Sequence, residues 1–141
     1  MGKSLNYFFP DKAEKKAEKF EVVASKRFKD EEGNYIPWSF RLFSAKEIND
    51  IQKASVRTTN TNGKIQASTD MDYLKIRAIL ESLEYPNLKD EELQNAYDVM
   101  SDRELLEVLL EGRELERLGS RVLTQQGFID DINEMIGEAK N

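Results

Sequence analysis

Apolar and polar positions alternate with period two most clearly between Tyr35 and Phe43 (YIPWSFRLF). There Ile36, Trp38, Phe40 and Leu42 share one face, with Pro37, Ser39 and Arg41 on the other. Phe20 to Phe28 (FEVVASKRF) is also rich in aromatic and β-branched residues, and a polar KDEEGN segment carrying Gly33-Asn34 lies between the two runs. Together they read as a β-hairpin with a longer loop. Trp38 then belongs to the core. Pro37 has no N–H to donate, so its strand is expected at a sheet edge or with that position turned outward.

The period then becomes helical. Ser44-Ala45-Lys46-Glu47 has the pattern of a capping box and opens a helix at Ala45, with Ile48 and Ile51 on one face and an end near Ala54. A Thr/Asn-rich stretch follows, and its Asn62-Gly63 dipeptide predicts a tight turn in a second, polar hairpin from about Val56 to Ser68. Thr69 or Asp70 caps a helix from Met71 to about Glu84 that carries Leu74, Ile76, Ile79, Leu80 and Leu83, and Tyr85-Pro86 ends it. Asp90 caps a short helix. A second capping box, Ser101 to Glu104, opens Leu105 to Leu110, and Gly112 breaks the chain before a helix from Arg113 to Gln126. Gly127-Phe128 resembles a left-handed C-cap with its apolar follower. Asp130 or Asp131 caps a terminal helix with Ile132, Met135 and Ile136 on one face. The fold class is α+β: N-terminal β-hairpins around an intervening helix, then a mostly helical acidic half. Residues 1–19 read as a charged arm and 20–141 as one globular domain, divided into β-hairpins and first helix over 20–70 and a helical part over 71–141.

The arm has its own pattern. Leu5, Tyr7, Phe8 and Phe9 form an apolar cluster ended by Pro10, and KAEKKAEK from Lys12 to Lys19 tethers it without any apolar stripe of its own. Such a cluster docks either on its own domain or on a partner.

Composition removes most catalytic chemistry. The 141 residues include no Cys and no His, which excludes disulfides, thiol nucleophiles, His-based triads and zinc sites built on those ligands. The net charge of −6 is uneven: residues 1–70 carry 13 Lys/Arg against 10 Asp/Glu, and residues 71–141 carry 8 against 17. No basic face suited to a phosphate backbone follows from that distribution, so nucleic acid is not an expected partner. The opening MGKSLNYFFP is too short in apolar residues for a signal-peptide core, and Asn6 fails the last position of a myristoylation pattern. No membrane anchor is expected.

The remaining clusters favour plain structural readings. Asp30 to Asn34 fails as a calcium loop because Phe28 falls where the first ligand must stand. Asp130, Asp131 and Glu134 could clamp a divalent ion, yet acids at a helix start are ordinary capping residues. The seven glycines are scattered singly and make no phosphate cradle. Lys26, Arg27, Phe28 and Lys29 could stack on a single strand of nucleic acid, but Asp30 to Glu32 oppose it, and a charge-protected hairpin edge fits better. No pair of carboxylates stands out for acid–base work. The residues therefore describe a non-enzymatic binding or scaffolding domain with no catalytic, cofactor or metal site. Its candidate protein-binding residues are Leu5, Tyr7, Phe8 and Phe9.

One stretch supports a resemblance. Phe20 to Lys53 is similar to the N-terminal half of the phage XkdN-like tail assembly chaperones of PBSX-type prophages and related tailed phages. That family shows a short apolar start, a charged arm, a V-S-x-R-F-K-D-x-x-G-x-x-x-x-W block and a Ser/Thr-opened helix rich in Glu. The counterparts here are Leu5 to Phe9, Lys12 to Lys19, then Val23, Ser25, Arg27, Phe28, Lys29, Asp30, Gly33 and Trp38, then Ser44 and Glu47. Ala24 before Ser25 and Ile36-Pro37 before Trp38 are departures. The acidic, Leu-rich stretch from Leu105 to Ile136 also resembles the family's C-terminal part.

The resemblance implies a helper in the host bacterial cytoplasm, absent from the mature virion. It would hold the long tape-measure protein soluble while tail-tube subunits assemble, sometimes alongside a longer frameshifted form of itself. The apolar arm and the acidic helices are the surfaces this role would use, although Leu105, Leu109 and Leu118 equally suit a core. Two alternatives of other classes are a structural tail protein retained in the virion and a small carboxylate-based enzyme or regulator.

Overall fold

The computed structural model describes residues 3–128. After a single 3-10 turn at Asn6–Phe8, the elements are β1 (Lys19–Val22), β2 (Trp38–Arg41), α1 (Ala45–Ala54), β3 (Val56–Thr61), β4 (Lys64–Thr69), α2 (Met71–Ser82), β5 (Leu83–Tyr85), α3 (Glu91–Ala96), α4 (Asp102–Leu109) and α5 (Gly112–Gln126). The fold is α+β. Strands β1, β2 and β5 form one antiparallel sheet in that order, and β3 and β4 form a separate hairpin.

The first hairpin pairs as expected, Phe20 with Phe40 and Val22 with Trp38, but its strands are shorter than the apolar runs. Residues beyond Val22 leave the ladder because Ser25 Oγ accepts from the Arg27 amide and turns the chain. Pairing resumes only as a bridge at Lys29 and Tyr35. The edge position expected for the Pro37 strand is corrected. Pro37 stands before the strand begins, and β2 is the central strand, flanked by β1 and β5.

Leu83 and Glu84, which the helical pattern places at the end of α2, instead belong to strand β5. Helix α2 stops at Ser82, whose Oγ donates to the Ala78 carbonyl at 2.6 Å, and the chain turns extended at Leu83 (φ −68°, ψ 122°). Pro86 disfavours helix at Tyr85, and the open edge of β2 accepts the extended residues.

The caps explain the other boundaries. At α1 the box is complete: Ser44 Oγ accepts from the Glu47 amide and Glu47 Oε1 accepts from the Ser44 amide. Asp70, not Thr69, caps α2 through the Tyr73 amide, and Asp90 caps α3 through the Leu93 amide. The box expected at Ser101 is only half formed. Ser101 Oγ accepts from the Glu104 amide, but Glu104 turns back to the Met100 amide, and the helix opens at Asp102. The break expected at Gly112 falls at Leu110 and Glu111, so Gly112 is the first residue of α5. Gly127 closes α5 at φ 96°, a left-handed conformation that favours glycine, and Phe128 behind it is fully buried. The terminal helix expected after Asp130 lies outside the described residues.

The core lies between the sheet and the helices. Trp38 and Phe40 of β2 join Leu74 and Ile79 of α2, Leu105 and Leu106 of α4, and Leu118, Val122 and Leu123 of α5. Phe20 stacks on Phe40 with centroids 5.2 Å apart, and Phe43 meets Phe128 edge to face. Helices α2 and α5 pack together at Gly119, where a Cβ would stand 2.9 Å from Lys75 Cβ. Glycine is required there by space. Gln126, buried at the end of α5, accepts from the Phe43 amide at 2.9 Å and donates to the Arg41 carbonyl at 2.8 Å, which joins α5 to the strand behind it.

Candidate protein-binding site

The arm segment is shaped by its own backbone. Ser4 Oγ accepts from the Asn6 amide, Phe8 N–H donates to the Leu5 carbonyl, and the Lys12 and Ala13 amides both donate to the Phe9 carbonyl. These bonds use up the backbone locally and leave the side chains outward. Leu5 is 71% exposed, Tyr7 76%, Phe8 78% and Phe9 53%. All four side chains stand outward on one short segment, an apolar knob that joins no core cluster among the described residues. Residues 11–18 that follow are exposed, with one surface ion pair, Lys15 to Glu18 at 3.4 Å. Where the arm meets the sheet, the Leu42 amide donates to the Glu18 carbonyl and extends the β1–β2 pairing by one step.

A second apolar feature was not visible in the sequence. Phe28, Ile36, Trp38, Tyr85, Pro86 and Tyr97 line an open groove of about 220 Å³. It collects residues from the first hairpin, the unforeseen β5 and the stretch after α3, so no single run of sequence marks it. The volume falls below the ~300–1,000 Å³ of typical small-molecule sites and suits one or two apolar side chains.

The charged clusters are committed to structure. Asp30 Oδ1 accepts from the Glu32 and Asn34 amides and shapes the hairpin loop. Arg27 donates to the Leu109 carbonyl at 2.7 Å, while Lys26 and Lys29 lie against the Tyr35 ring. Both sets act as loop and edge residues. A polar cleft of about 750 Å³ contains Arg41, Glu47, Arg77 and Glu81. Arg41 pairs with Glu47 at 2.7 Å, and Arg77 pairs with Glu81. The hydrogen bond from Arg41, with that from the Ser44 amide, holds the Glu47 carboxyl down at about 2. A carboxylate so held stays ionised near neutrality and is a poor proton donor there. Asp130, Asp131 and Glu134 lie outside the described residues. Among the described residues no group of three or more Asp and Glu is gathered as a metal-holding cluster, and no helix is long and apolar enough to cross a membrane.

Leu105, Leu109 and Leu118 point into the core, leaving charged positions and the half-exposed Val108 as the outer face of α4. The acidic helices therefore present charge outward and keep these leucines inside.

Comparison with known proteins matches residues 5–140 to the model of the phage XkdN-like tail assembly chaperone protein family. Two relatives from Bacillus subtilis (strain 168) align nearly end to end. The uncharacterized protein YqbN is 32% identical over 139 residues, covering 97% of this chain and 93% of the relative. The phage-like element PBSX protein XkdN is 31% identical over 140 residues, with the same coverage. The crystal structure of YqbN superposes with a TM-score of 0.64 at 29% identity, covering 91% of this chain and 99% of that one. With the family model spanning the arm, both sheets and the helices, and two full-length relatives beside it, this chain belongs to the phage XkdN-like tail assembly chaperone family.

Proposed function

We propose that the protein binds the tape-measure protein of its phage or prophage and keeps it soluble during tail assembly, without catalysing a reaction. The observation that carries this reading is the exposed knob of Leu5, Tyr7, Phe8 and Phe9 on a polar tether, in a member of a tail assembly chaperone family. A long amphipathic helix exposes apolar stripes that self-associate until something covers them. An apolar knob on a reachable arm covers such a stripe. The acidic outer face of the helical half keeps the complex soluble by net charge. In this reading the arm, residues 1–19, serves a single folded domain over 20–141. The protein works in the host bacterial cytoplasm and is left out of the mature virion. The tail-tube protein and a frameshifted longer form of the chain are further partners in the same assembly.

Co-expression with the tape-measure protein of the same phage or prophage tests it. Solubility of that protein should rise with the intact chain and fall back when Tyr7 and Phe8 are both replaced by Ser. Unchanged solubility with the intact chain would refute the reading. Recovery of the chain in stoichiometric amount from purified particles would favour a structural tail protein instead.

A further inference from the structure

Two adjoining hollows of about 530 and 480 Å³ lie between α5 and the chain that leaves β1, and they share Val23, Ala24, Glu114 and Arg117 as walls. Together they form one groove along α5, from Gln125 back to Arg113, open among the described residues. Its floor is apolar. Val22 is half-buried and Val23 is 47% exposed, while Ala24 and Leu118 belong to the core beneath.

The rim is basic, on a chain of net charge −6. Arg113, Arg117 and Arg121 follow at four-residue spacing on one face of α5, all exposed, and Lys26 and Arg27 stand on the facing wall. The two carboxylates that line the groove are engaged locally: Glu114 accepts from the Glu111 amide at 2.9 Å, and Glu111 pairs with Arg113 at 2.8 Å. Arg27 is held by the Leu109 carbonyl. Neither Arg117 nor Arg121 forms an ion pair among the described residues.

Charge and length name the occupant. Residues 129–141 (IDDINEMIGEAKN) carry Asp130, Asp131, Glu134 and Glu138 against a single Lys140. At helical period Ile132, Met135 and Ile136 share one face, and Asp131 and Glu138 fall at its flank. The segment starts from Phe128, fully buried within four residues of Thr124 at one end of the groove, and the left-handed Gly127 prevents α5 from continuing straight. At the helical rise, residues 130–141 span about 18 Å, and α5 from Thr124 back to Arg113 spans about 16 Å. We propose that residues 129–141 fold back antiparallel to α5 as an amphipathic helix that fills this groove. Ile132, Met135 and Ile136 then lie over Val22 and Val23, and Asp131, Glu134 and Glu138 meet Arg117 and Arg121. The segment acts as a strap that ties β1 to α5 from outside. The proposal goes beyond the chaperone reading and is tested without any tail protein.

Amide hydrogen exchange on the purified full chain is expected to be slower over residues 129–141 than in a free peptide of that sequence, and unchanged by dilution. Arg117→Glu with Arg121→Glu sets like charges against the segment and should speed its exchange by up to about fivefold for each pair lost. Adding Asp131→Arg, Glu134→Arg and Glu138→Arg to that variant reverses both partners and should slow the exchange again. Both arginines are exposed, so exchange in α4, which does not line the groove, should stay as in the parent. Free-peptide exchange over 129–141 in the parent would overturn the proposal. So would slowed exchange that the arginine changes leave as it was, or that the reversed charges fail to restore. Protection lost on dilution would overturn it too, because the segment would then come from a second copy.

Discussion

Replacing Gln126 by Leu isolates the clasp between the last described helix and the sheet. The side chain is 6% exposed, and its two hydrogen bonds reach the Phe43 amide and the Arg41 carbonyl. Leu has a similar size but pairs with neither group. Each partner left unpaired in the interior costs about 1–3 kcal/mol, but Arg41 and Phe43 are only half buried and regain part of that from water. The added apolar surface offsets a little more. The expected loss is about 2–3 kcal/mol. At about 3–4 °C per kcal/mol for a chain of this length, the melting temperature should fall by roughly 6–12 °C. Gln126→Glu keeps an acceptor for the Phe43 amide but sets a buried carboxylate oxygen against the Arg41 carbonyl, so at neutral pH a loss at least as large is expected. Urea unfolding followed by Trp38 fluorescence measures both. A Gln126→Leu protein within about 0.5 kcal/mol of the parent, the usual range of surface changes, would refute the clasp.

Other outcomes follow from the same contacts. Gly119→Ala should destabilise by about 1–2 kcal/mol by thermal melt, because the clash with Lys75 outweighs the roughly 1 kcal/mol gain in helix propensity. Leu105→Ala, at a fully buried position, should cost about 2–5 kcal/mol in the same assay. Tyr7→Ser and Phe8→Ser should leave stability within about 0.5 kcal/mol, since both side chains are exposed, while removing the solubilising effect on the partner. Glu47 gives a pH dependence: its folded value near 2 lies below its ordinary 4.5, so its contribution is complete above about pH 4.5 and is lost as pH falls toward 2. The carboxylate is more than a third exposed, so solvent screening limits the effect to about 1 kcal/mol. Glu47→Gln should flatten the acid limb of a melting-temperature profile, and an unchanged limb would count against the pairing.

Local signals carried most of the fold. Ser44, Asp70, Asp90, Ser101 and Gly127 mark helix ends through bonds spanning a few residues, and Asn62-Gly63 marks a turn in the same way. What sequence reading missed depends on distant partners. Leu83 to Tyr85 continue the apolar helical pattern of α2, and only the free edge of β2 makes them a strand. Gln126 looks like an ordinary polar residue at a helix end until Phe43 and Arg41 are brought beside it. The exposure of the arm is a local matter too, because four apolar side chains stand before a charged tether that offers them nothing to pack on. The groove at Trp38 and Tyr85 is not, since its walls meet only after β5 docks.

The position of β2 has a bearing on synthesis. Its partner β5 lies more than 40 residues downstream, and the clasp at Gln126 lies 83 to 85 residues away. A ribosome-bound fragment ending near residue 70 therefore holds a hairpin whose inner strand has one flank bare and whose apolar side lacks α2, α4 and α5. Such a fragment should be protease-sensitive. Protection should arrive in one step, once the whole of α5 has cleared the exit tunnel.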